Sequence, residues 1–191
     1  MTKFKTERND NYYSSSKTAI KQSGMKNQLD WIRRQLEYAD FSEKYSLRYD
    51  LKRGEIYEFD WGINVNAEFS NRHFGVVLVD SDAFNPLVTV CPLKSNHSGI
   101  NPKSDVDLGF IPELGTMNST IAVVNQVRTM DKLRIYMKRA IGRYGEHVLS
   151  DSYEDENNSV MRLTNDKINK VIEGYKRYLD SAMALEVERR Y

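Results

Sequence analysis

Short apolar runs punctuated by turn-forming residues dominate the chain beyond residue 50. Ile56, Tyr57 and Phe59 in RGEIYEFDWG (53–62) predict a first strand, HFGVVLVD (73–80) a second and LVTVCPL (87–93) a third. Asn85 and Pro86 mark the turn between the last two. The stretch SNHSGINPKSD (95–105) is too rich in Ser, Asn, Gly and Pro for anything but a loop, and VDLGFI (106–111) after it reads as a further strand. In STIAVVNQVRTMDKLRI (119–135), an apolar run from Ile121 to Val124 leads straight into Asn125, Gln126, Arg128, Thr129, Asp131 and Lys132. A buried strand holds the residues after it rigidly at a sheet edge, which suits a site. The plainer alternative is that Asn125 and Gln126 bond a neighbouring loop while Arg128 and Asp131 pair at the surface.

The pattern changes to helical spacing at both ends. Leu29, Ile32, Leu36 and Ala39 share one face, with Trp31 and Tyr38 beside it, and predict an amphipathic helix over 25–45. That face can pack on its own barrel, on a second copy or on a partner. Near the other end, Thr164 is placed as an N-cap and Asp166 falls in the first turn. Ile168, Val171, Ile172, Tyr175, Leu179 and Met183 then recur at three- and four-residue intervals, which predicts a second helix. Residues 1–24 are polar, basic and interrupted by Ser14, Ser15 and Ser16, so a disordered tail is expected there. The acidic stretch 151–156 reads as a solvated linker. The expected organisation is a tail over 1–24, a helical extension over 25–50 and one domain over 51–191. Its class is α+β: a small curled antiparallel sheet or partly open barrel, covered by the C-terminal helix, with the N-terminal helix added.

Composition narrows the function. With 28 basic and 27 acidic residues among 191, net charge +1, bulk charge predicts no polyanion partner. Contact with nucleic acid would need local patches, for which Lys132, Arg134, Lys138, Arg139 and Arg143 are candidates. The single cysteine, Cys91 in VTVCPL, reads as a small buried hydrophobe and suits a reducing cytoplasm. Lys3, Lys5 and Arg8 are followed by no apolar run, so neither a secretory leader nor a membrane span is expected. His73, His97 and His147 are scattered outside metal-ligand spacing, and no metal or cofactor is expected.

The order RGEIYEFDWG, polar loop, VVLV, PLVTVCPLKS, VVNQVRTMDKLRI and terminal helix resembles the PemK/MazF family of toxin endoribonucleases, over about residues 52–179. The resemblance implies an SH3-like antiparallel β-barrel in a cytoplasmic homodimer. It also implies metal-independent cleavage of single-stranded RNA by attack of a 2′-hydroxyl, leaving a 2′,3′-cyclic phosphate and a 5′-hydroxyl, and restraint by a cognate antitoxin, protein or RNA. Where the family places a phosphate-serving Arg before the second strand, this chain has His73, with Arg72 just before it and Phe74 in place of the usual Pro. Lys94 stands at the family's Thr and Ser95 follows it, a pairing similar to ToxN-like relatives. Asn125 replaces the family's acid, leaving Glu68 as the carboxylate near the implied groove. Phe69, Arg72 and Phe74 can grip bases and phosphate, and Gln126 and Arg128 belong to the same implied RNA surface. Two alternatives stand beside the nuclease: a CcdB-like gyrase-binding poison acting through its last helix, and a family member that has lost catalysis and only binds.

Overall fold

The computed structural model describes residues 24–40, 45–46, 49–64, 68–97, 99–115, 117–136, 140–142, 147–148 and 160–188. The chain separates into two units, Met1–Asp40 and Phe41–Tyr191. In the first, α1 covers 24–40, and its apolar residues Met25, Leu29, Ile32 and Leu36 are exposed. The expected helix over 25–45 does not reach its last residue. Tyr45 belongs instead to β1 (Tyr45–Ser46), which pairs with β8 (Ala140–Gly142), itself paired with β9 (His147–Val148). Residues 1–23 of the expected tail, the acidic linker and Lys138, Arg139 and Arg143 of the basic cluster lie outside the described residues, whereas residue 24 begins α1.

The main sheet of the second unit is antiparallel throughout. It contains β2 (Ile56–Asp60), β3 (Arg72–Val77), β4 (Leu87–Ser95), β5 (Asp105–Asp107) and β6 (Thr120–Val123) in the order β2-β3-β4-β6-β5. A further strand, β7 (Arg128–Asp131), also pairs with β4. The nine-residue β4 organises this arrangement: Leu87–Val90 pair with β7 and Leu93–Ser95 with β6, while β3 lies along its other edge. The chain then returns to β2, where Ile135 bridges Phe59 and the Tyr136 N–H donates to the Glu58 carbonyl at 2.8 Å. The return closes this half of the sheet into the expected small barrel.

Side-chain alternation sorts the residues into two cores. Tyr57, Phe59, Trp61, Val77, Val88, Val90, Met130 and Ile135 fill the barrel. Ile56, Val76, Cys91, Leu93, Val106, Ala122 and Val124 face the other way and meet Ile168 and Val171 of α2 (Asn165–Glu188). Thr164 Oγ1 accepts the Lys167 N–H at 3.4 Å and caps that helix. Each Val, Ile or Phe so buried stabilises the fold by roughly 1.5–3 kcal/mol. Cys91 is fully buried, and desolvation pushes its thiol well above the ordinary range, so it is inert. Among the described residues no helix is long and apolar enough to cross a membrane.

The motif Arg53-Gly54-Glu55 is a clip. Gly54, at φ 87°, turns the chain in a conformation that side chains resist. The mostly buried Glu55 carboxylate accepts the Lys52 N–H at 2.7 Å, the Tyr57 hydroxyl at 2.8 Å and the Arg162 guanidinium at 2.9 Å. The Arg53 guanidinium donates to Asn169 on α2 at 2.6 Å. One turn thus fastens β2 to the helix that covers the sheet.

Candidate functional site

The loop between β2 and β3 is built by its own polar residues. Trp61 N–H donates to the Asn71 carbonyl and Asn71 N–H to the Gly62 carbonyl, at 2.8 and 2.6 Å. Asn71 takes a left-handed φ of 64°, a conformation Asn tolerates better than most side chains, and so turns the chain into β3. The Phe69 ring then stands between Trp61 and His73, with centroids 5.8 and 5.1 Å away.

β3 opens with Arg72 and His73. The Arg72 guanidinium lies over the Tyr136 ring, 3.5 Å from its centroid, so the cation is held in place. Burial lowers the His73 pKa below its ordinary 6.5, against the opposing effects of the Ser70 carbonyl and the Glu58 charge. The imidazole is therefore neutral at pH 7 and able to accept a proton.

β4 supplies the facing residues. Lys94 Nζ donates to Asp105 at 2.8 Å, and the buried Asp105 carboxylate also accepts from the Asn101 N–H and the Ser104 hydroxyl. Ser95 ends the strand opposite Thr120 of β6. Two residues on, the His97 N–H closes a tight turn onto the Ser95 carbonyl at 3.1 Å, and His97 Nδ1 lies 3.1 Å from the Asn118 side-chain amide.

These residues surround one cleft of about 370 Å³, lined by Glu58, Arg72, His73, Phe74, Leu93, Lys94, Ser95, His97, Leu114 and Thr120. Arg72, His73, Phe74, Lys94 and Ser95, named from the sequence, thus come together. Thr120 is buried, and its Oγ1 has no hydrogen-bond partner among the described residues. Chemically the cleft offers two imidazoles, two fixed cations, two hydroxyls, a carboxylate and a partly apolar lining. Among the described residues no three His, Cys, Asp or Glu are grouped to hold a metal ion.

The other candidates lie outside the lining. Gln126 Oε1 accepts the Phe69 N–H at 2.6 Å, and Arg128 donates to the Trp61 carbonyl at 2.6 Å while its guanidinium stacks on the Trp61 ring. Both hold the β2–β3 loop. Arg128 does not pair with Asp131, whose carboxylate caps the Leu133 N–H. Asn125 and Glu68 are exposed. Lys132 is no surface cation: it is buried, and its Nζ donates to the Tyr49 and Asp82 carbonyls at 3.0 and 2.6 Å. Glu58, His97 and Thr120 were not singled out from the sequence. A carboxylate inside the apolar run of β2 was a usable signal for Glu58, whereas His97 and Thr120 sit in segments that carry none.

Residues 52–154 match the family described as PemK-like, MazF-like toxin of type II toxin-antitoxin system. Among solved structures, MazF (Form-I) from Deinococcus radiodurans is similar at 16% identity and a TM-score of 0.45, over 69% of this chain and 98% of that one. MazE-MazF (Form-II) from the same organism is similar at 17% identity and a TM-score of 0.40, over 69% and 96% of the two chains. No individually curated protein matches. The family match spans more than half of the 191 residues and takes in both the Arg53-Gly54-Glu55 clip and the Asn125–Lys132 block, so the chain belongs to the PemK-like, MazF-like toxins of type II toxin-antitoxin systems.

Proposed function

We propose that this cleft binds single-stranded RNA and cleaves it by internal transesterification, and that the protein is the ribonuclease toxin of a toxin–antitoxin pair. The observation that carries the proposal is the convergence of Arg72 and His73 from β3 with Lys94 and Ser95 from β4 on one nucleotide-sized cleft. In this reaction the 2′-hydroxyl loses its proton, its oxygen bonds to phosphorus and the bond to the 5′-oxygen breaks. The products are a 2′,3′-cyclic phosphate and a 5′-hydroxyl. His73 is the base for the 2′-hydroxyl proton. Arg72, Lys94 and the Ser95 hydroxyl stabilise the charge that grows on the phosphoryl oxygens, and the two cations, already held by their neighbours, need little reorganisation. The unpartnered Thr120 hydroxyl and the Phe74 ring favour a ligand with hydrogen-bonding groups and a flat face, as a nucleobase has. DNA lacks the attacking hydroxyl and would remain uncut. A cognate antitoxin, protein or RNA, acts by covering the cleft, and the working form is a cytoplasmic homodimer.

The test is incubation of the purified protein with mixed-sequence RNA in EDTA, with cleavage sites mapped and the new 3′ ends assayed for cyclic phosphate. Cuts with cyclic ends, lost in His73→Ala and Ser95→Ala, are expected. Intact RNA, from a preparation free of antitoxin, would overturn the proposal in favour of a poison that acts by binding alone.

A further inference from the structure

Transesterification needs an acid for the departing 5′-oxygen as well as a base for the 2′-hydroxyl, and the two must approach phosphorus from different sides because the oxygens lie in line. The cleft lining limits the choice. Arg72 does not release a proton near neutrality and is stacked on Tyr136. Lys94 is paired with the buried Asp105 carboxylate. Glu58 lies opposite Phe74 on the strand paired with β3, and its charge acts on the His73 imidazole. Asn125, in the block after β6, carries no transferable proton and is not part of the lining.

His97 remains. It lies on the β4 side of the cleft, two residues past Ser95, and is fixed there by its backbone bond to the Ser95 carbonyl. Its Nδ1 is engaged by the Asn118 amide at 3.1 Å, which leaves Nε2 as the ring nitrogen for substrate. An amide can turn either its nitrogen or its oxygen toward Nδ1, so this contact persists in both protonation states. A proton-transfer side chain oriented by a third group is the arrangement such catalysis requires.

We propose that His97 is the second proton-transfer group of this cleft, giving its Nε2 proton to the 5′-oxygen as the phosphorus–oxygen bond breaks, while His73 takes the proton from the attacking 2′-hydroxyl. The proposal rests on the ribonuclease activity proposed above. The two imidazoles end the step with their protonation states exchanged, and proton exchange with water restores them.

The decisive experiment compares two oligonucleotides spanning a mapped cleavage site, one natural and one carrying sulfur in place of the scissile 5′-oxygen. A thiolate leaves without protonation, so the second substrate needs no acid. His97→Ala and His97→Gln should lose about 100-fold or more on the natural substrate, the usual contribution of one proton-transfer group. Both should cleave the sulfur-bridged one at close to the unmutated rate. His73→Ala should fail on both. Equal losses on the two substrates, or an undiminished rate on the natural one, would overturn the role of His97 while leaving the ribonuclease intact. If the unmutated protein cuts neither substrate, the nuclease activity itself fails, and this proposal with it.

Discussion

Gly75 sits two residues beyond His73, where β3 passes directly over the aromatic filling of the barrel. A Cβ added there would lie 3.0 and 3.3 Å from two Phe59 ring carbons and 3.1 Å from a Trp61 ring carbon. Carbon atoms prefer about 3.5–4.0 Å, so each contact is short by a few tenths of an ångström. Neither ring can retreat, since Phe59 and Trp61 are 0% and 1% exposed and pack edge-on at 6.1 Å. Replacing a strand glycine by alanine gains about 0.5–1 kcal/mol of backbone entropy, but overpacking a core costs about 1–3 kcal/mol. Gly75→Ala should therefore lose about 1 kcal/mol net. With an m-value of about 2 kcal/mol/M, its urea midpoint should fall by roughly 0.5 M. The strain also reaches the cleft, because the Trp61 indole N–H donates to the His73 carbonyl at 3.0 Å and Phe69 bridges the two rings. RNA cleavage should fall in the same variant, and Phe59→Leu added to it should recover part of the stability. A midpoint at or above that of the unmutated protein would refute the argument.

Gly174→Ala sets helix propensity against packing. The substitution should gain up to about 1 kcal/mol in an open helix, but here its Cβ is driven into the Val106 side chain, so urea unfolding should show a net loss that Val106→Ala relieves. Glu55→Ala removes the acceptor of three hydrogen bonds at the clip and should cost about 2–3 kcal/mol by denaturant titration, with a smaller loss for Glu55→Gln. The lowered His73 pKa gives a signed pH prediction. Its contribution to stability is fully present above pH 6.5 and is lost as pH falls from 6.5 through the lower folded value, because the unfolded chain binds the proton first. The acid limb of kcat/KM for RNA cleavage should accordingly fall below pH 6.5, and a limb at about 7 or above would contradict the assignment of His73 as base.

Local pattern located β2, β3, β4 and β6, the C-terminal helix with its Thr164 cap, and the family resemblance carried by Arg53-Gly54-Glu55 and the Asn125–Lys132 block, but not β7, whose residues 128–131 read as a polar patch after a buried strand. Alternation with period two and recurrence at three to four residues are set by backbone geometry, and burial then sorts the side chains. The resemblance, carried over residue by residue, pointed to five residues that line the cleft: Arg72, His73, Phe74, Lys94 and Ser95. What the polar groups touch, in contrast, emerged only from the folded chain. Arg128 holds the β2–β3 loop, Lys132 is buried under Tyr49 and Asp82, and Lys94 is tied to Asp105. The same holds for Glu58, His97 and Thr120, which reach the cleft from β2, from the turn after β4 and from β6. Their meeting depends on β4 serving three neighbours at once, and pairings between strands far apart in sequence leave no periodic trace in any one segment.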